Sequence, residues 1–145
     1  MRMRSSFLLL ACLALITMAG CSSQEERNRF EQQKYYFIES MQQVESGGRQ
    51  LQEAALDRVA LEQALDSLER GLKLAFEVDR DFLDKLDLRL GKNYQRYFIE
   101  GVQSYRIGIE AGDQAQQQEG VELLQQWAKF WQQESASIQA ALHPQ

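Results

Sequence analysis

Proline occurs once, at Pro144, and histidine once, at His143, both in the C-terminal tail. The body of the chain therefore lacks the strongest helix breaker and the commonest catalytic base. With one histidine, bis-histidine haem ligation, the Glu-x-x-His di-iron pattern of helical bundles and zinc-peptidase motifs are excluded. A serine–histidine–aspartate arrangement would have to use that tail residue. There is no glycine-rich phosphate loop and no Gly-x-Ser-x-Gly elbow. No stretch alternates polar and apolar residues as a half-buried strand should, and no repeat of fixed period stands out. Cysteine is limited to Cys12 and Cys21. These absences point to a non-enzymatic protein without cofactor or metal.

What is present is helical material, rich in Leu, Ala, Gln, Glu and Arg and poor in β-branched runs. Glutamine recurs in pairs such as Gln32-Gln33, Gln42-Gln43, Gln125-Gln126 and Gln132-Gln133. Their spacing among apolar residues reads as uncharged, solvated helix faces.

The N-terminus has a different character. Arg2 and Arg4 precede an apolar run from Phe7 to Ile16, and Met18-Ala19-Gly20-Cys21 follows. The run is shorter than the ~20 residues a spanning helix needs. The tetrad resembles the lipobox of bacterial lipoproteins, with Met18 in the aliphatic place usually held by Leu. The resemblance covers only the first 21 residues. It implies a signal peptide over residues 1–20, lipidation of Cys21, and one lipid-anchored domain over residues 21–145. Cys12 follows bulky Leu10 and Ala11 within the apolar run, a poor place for cleavage. Ser22 stands where inner-membrane retention signals commonly carry Asp, so the resemblance implies the periplasmic face of the outer membrane.

Loss of Arg2 and Arg4, the only charged residues before Cys21, would take the net charge from −5 to −7. An acidic domain of that kind suits neither nucleic acid nor anionic lipid as a partner. No second thiol would remain for a disulfide, so stability must come from packing.

Ser22 with Glu25, or Ser23 with Glu26, fits a capping box, which predicts a first helix starting almost at the lipid. That helix would run to about Ser46, with Phe30, Phe37, Met41 and Val44 on one face and Tyr35, Tyr36 and Ile38 widening it. Gly47-Gly48 predicts its end. A second helix from Arg49 carries the seam Leu61, Leu65, Leu68 and Leu72, broken either at Val78-Asp79-Arg80-Asp81 or at Gly91-Lys92-Asn93. The first choice gives four helices of similar length. A third helix would then hold Leu83, Leu86, Leu90, Tyr94, Tyr97, Phe98, Val102, Tyr105 and Ile109. Ala111-Gly112-Asp113 marks a stop and restart. The last helix presents Val121, Leu124, Trp127, Ala128, Trp131, Ile138 and Leu142. The expected fold is all-α, an up-down four-helix bundle; three helices with one long helical hairpin arm is the alternative.

Two features could carry function. Glu77, Asp81 and Asp84 would share a helix face able to hold a hard cation, yet Arg80, Lys85 and Arg89 favour a face laced with ion pairs. Tyr94, Tyr97, Trp127, Phe130 and Trp131 could form a core layer between the last two helices. If some of them stay exposed, they form a partner-binding surface, since exposed aromatics mark interfaces. Three functions fit: an assembly or pilotin-like lipoprotein that binds another envelope protein, an immunity-type lipoprotein that neutralises a periplasmic toxin, and a carrier of a small apolar ligand.

Overall fold

The computed structural model describes residues 5–54 and 57–143, with side chains from residue 23 onward. Met18, Ala19, Gly20 and Cys21, and with them the lipidation site, lie outside the residues whose side chains are described. The chain divides into two units, residues 1–32 and 33–145. Among the described residues there is no strand, and no helix is long and apolar enough to cross a membrane.

In the first unit, residues 23–29 are exposed and helical, and Gln24 Nε2 donates to Asn28 Oδ1 at 3.0 Å. The helix α1 (Ser5–Ala54) passes through Ser22 and Ser23, so neither serine starts a helix and no capping box forms there.

Five helices are described, not four of similar length: α1, α2 (Arg58–Phe76), α3 (Arg80–Leu86), α4 (residues 90–111) and α5 (Gln114–Leu142). The expected third helix is interrupted at Asp87, whose backbone is extended, and α3 is left as a seven-residue connector. The Asp87 side chain accepts from the Arg89 N–H at 2.8 Å, a short turn that competes with helix continuation. The break between α2 and α3 falls at residues 77–79, in the first of the two places the sequence offered.

Gly47-Gly48 does not end α1, which continues to Ala54 before Asp57 caps α2 by accepting from the N–H groups of Val59 and Ala60. Here Gly47 serves close approach. A Cβ on it would lie 2.9 Å from Leu68 Cδ2, and one on Gly71 would lie 2.7 Å from Val44 Cγ2 and 3.0 Å from the Ser40 carbonyl. Two antiparallel helices thus touch nearly backbone to backbone, with Ala64 and Ser67 buried along the same seam.

Gln33 holds the far end of this pair. Its Nε2 donates to the Glu77 carbonyl at 3.2 Å, and its Oε1 accepts from the Asp79 N–H at 2.6 Å. One buried amide thereby satisfies the last turn of α2 and the first of α3. The solvated-face reading of the glutamines fails at this position.

The α4–α5 hairpin turns where the sequence places it. Gly112 adopts φ +66°, the left-handed conformation that favours glycine, and Asp113 accepts from the Gln116 N–H at 3.1 Å. Near the turn, Gly108 packs against Gln117 and Gly120 against Tyr105 with no room for a side chain. Further along, Tyr94, Phe98 and Trp127 separate the helices.

Gly71→Ala should destabilise the protein by ~1–3 kcal/mol through overpacking, because both Val44 and the α1 backbone would have to move. A Cβ on Gly48 meets nothing within 4 Å, so Gly48→Ala should stabilise by up to ~1 kcal/mol through helix propensity. Urea midpoints of the two variants check the pair; a stabilised Gly71→Ala would show that the helices do not touch there.

Candidate functional site

Residues 94–99 of α4 form a π-helical turn, closed by the Glu100 N–H on the Gln95 carbonyl. The extra residue in that turn re-phases the helix, so that Tyr94, Phe98, Ile99 and Val102 all face inward. Tyr94 is 1% exposed, and a buried phenol needs a partner for its hydroxyl. Ser40 of α1 supplies it at 2.6 Å. The Ser40 hydroxyl proton is directed at the Phe37 carbonyl, 2.7 Å away, so Tyr94 donates and Ser40 Oγ accepts. Burial pushes the Tyr94 phenol well above the ordinary tyrosine value.

An aromatic layer spreads from this bond. Tyr94 stacks on Phe98, with ring centres 4.9 Å apart, and meets Phe37 and Trp127 edge-on at 5.3 and 5.7 Å. Trp127 in turn stacks on Trp131 at 5.7 Å, and Phe37 meets Trp131 edge-on at 6.0 Å. Phe130 packs beside Trp127 at 5.7 Å, and the Arg89 guanidinium lies 5.8 Å from its ring centre. That guanidinium also pairs with Glu134 at 2.8 Å and Asp87 at 3.4 Å, tying the α3–α4 turn to α5. The Arg89 backbone N–H and guanidinium together hold the Asp87 carboxyl below its usual range.

The five aromatics singled out in the sequence therefore divide. Tyr94, Trp127 and Phe130 are core residues, at most 9% exposed, and cannot form a free surface. Phe130, which the helical stripe leaves aside, is buried beside Trp127 with the Arg89 guanidinium over its ring. Only Tyr97 and Trp131 are half-buried, and they lie on different helices. Tyr35-Tyr36-Phe37 does spread over too wide an arc to be buried whole: Phe37 is inside and Tyr35 is 56% exposed.

Trp131 opens onto a groove of about 350 Å³ between α1 and α5. Ile38, Met41, Gln42 and Glu45 line one wall, and Gln139, Leu142 and His143 line the other with Trp131. His143 Nδ1 and Lys34 Nζ are 3.1 Å apart at one end, an arrangement in which the ammonium donates to the ring nitrogen. Of these groove residues only Trp131 belonged to the expected surface. The signal for the α1 wall was the apolar arc widened by Ile38 beside Met41, broader than one neighbouring helix covers.

The acidic run does not assemble on one helix face, because Glu77 ends α2 and Asp81 and Asp84 belong to α3. Arg80 pairs with Asp84 at 3.3 Å and Arg89 with Asp87. Among the described residues, no group of three or more His, Cys, Asp or Glu is placed to hold a metal ion.

The chain matches no known protein family, no curated protein and no solved structure.

Ser40→Ala should cost ~1–3 kcal/mol by orphaning the phenol, whereas Tyr94→Phe should cost only ~0.5–1.5 kcal/mol, because Ser40 keeps its bond to Phe37. Folded Tyr94 stays protonated while the unfolded phenol ionises near pH ~10. Its contribution is thus fully present below that pH and is lost as the pH rises beyond it. Thermal midpoints between neutral and strongly alkaline pH should fall less steeply for Tyr94→Phe than for the parent; equal slopes would mean that the phenol is not buried.

Proposed function

We propose that this is a non-enzymatic lipoprotein, anchored through lipid on Cys21 at the periplasmic face of the outer membrane, whose helical domain binds another envelope protein. An assembly or pilotin-like role fits best, by analogy of anchor, size and helix content. The reading extends to the fold: α1, α2, α4 and α5 make up an up-down arrangement into which α3 is inserted as a connector.

One observation carries the binding proposal. Trp131 is left half-exposed on an open groove while Phe37 and Trp127 hold its ring on two sides. A large aromatic kept rigid at an opening is the type of residue that dominates protein interfaces, since it contributes contact area at little entropic cost. The Met18-Ala19-Gly20-Cys21 tetrad supports the anchor.

A second reading has an observation in its favour. The groove volume falls within the ~300–1,000 Å³ of small-molecule sites, as a carrier would need. Its walls, however, mix Gln42, Glu45, Gln139 and His143 with apolar side chains, which suits a peptide better than a wholly apolar ligand.

Membranes solubilised in mild detergent after cross-linking should yield one stoichiometric protein partner. Trp131→Ala, with the helical circular dichroism retained, should weaken that association by at least ~30-fold, the effect of losing a hot spot of ~2 kcal/mol. Cys21→Ala should abolish metabolic labelling with palmitate and release the protein from the membrane fraction. Recovery of an apolar compound in place of a protein would support the carrier and contradict the partner.

A further inference from the structure

We infer that the occupant of the Trp131 groove is a short segment of a partner protein that presents apolar side chains to Trp131 and Met41 and a lysine or arginine to Glu45. This rests on the partner-binding reading of the groove.

Glu45 carries the charge argument. On these helices Glu62, Glu69 and Glu110 are each matched one turn away by a base, Arg58, Lys73 and Arg106. Glu45 lies exposed at the groove, and among the described residues it has no ion-pair partner. Arg49, one turn further along α1, is not paired with it. A groove of mixed walls with an unmatched carboxylate at its rim attracts a cationic neighbour and rejects an anionic one. The opposite end is closed by Lys34 and His143, about three helical turns or ~16 Å away, so the complementary base of the occupant lies toward the Glu45 end.

The amides narrow the class further. Gln42 and Gln139 face the groove from opposite walls, and neither makes a hydrogen bond among the described residues. Each offers a donor pair and an acceptor, the complement of a peptide unit. An acyl chain would gain nothing from either amide, and a lipid phosphate would be repelled by Glu45. A peptide segment satisfies the apolar floor, the amides and the carboxylate together.

Selection of random displayed peptides on the full-length protein in mild detergent tests this directly. The enriched pool should combine apolar residues with a several-fold excess of Lys or Arg over the starting library. Glu45→Lys, an exposed substitution that leaves the core untouched, should invert that excess to Asp and Glu. Trp131→Ala should abolish enrichment of the apolar residues. If Glu45→Lys leaves the charge preference unchanged while Trp131→Ala still abolishes binding, the groove reading stands and this inference falls. If the selected pool is indifferent to Trp131, or if no peptide is enriched and lipid is extracted from the groove instead, both fall.

Discussion

A single buried phenol sets the arrangement of the helical domain. Tyr94 loses its water and has to return a hydrogen bond to the protein, and Ser40 of α1 is where it does so. Because Ser40 is itself tied to the Phe37 carbonyl, the bond aligns one turn of α1 with the first turns of α4. Phe37 then meets Tyr94 and Trp131 at once, and Trp131 is held at the mouth of the groove. The π turn belongs to the same constraint. It shifts the helix phase by one residue, so that Tyr94 and Phe98 stack while Ile99 and Val102 keep facing the core.

Side-chain size grades the spacing of the helices. Glycines bring α4 and α5 into backbone contact near their connecting turn, and aromatic rings separate them at the other end, where Phe37 enters. The α1–α2 pair has its own close contact at Gly47 and Gly71. Gly47, Gly71, Gly108 and Gly120 therefore mark crossings, and the large aromatics mark the level at which three helices meet. Dense packing of this kind makes each position sensitive to a single methyl group.

How much of this was legible in the sequence depends on whether the deciding interaction was local. The turn at Gly112-Asp113 reads directly, because a left-handed glycine and an aspartate cap act within four residues. Gly47-Gly48 misleads: a glycine needed for close approach looks the same as one that ends a helix until the partner helix is known. Gln33 looks like surface, and its burial depends on two peptide groups more than forty residues away. The break at Asp87 is invisible in the sequence because the apolar spacing runs on through Leu83, Leu86 and Leu90, with no glycine or proline between them. Of the candidate surface, the residue types were legible but their exposure was not. Phe130 disappears beneath Arg89, while Trp131 stays half-exposed although it stacks on Trp127. The lipidation reading of Cys21 rests on the tetrad and its flanks alone.

The central claim is that this protein acts through the Trp131 groove on another protein. The most direct measurement is photo-cross-linking in intact cells from a benzophenone side chain placed at position 139, on the groove, or at position 126, on an exposed stretch of the same helix. The account predicts one discrete protein adduct from position 139 and none from position 126. Adducts of equal yield from both positions, or from neither, would contradict it.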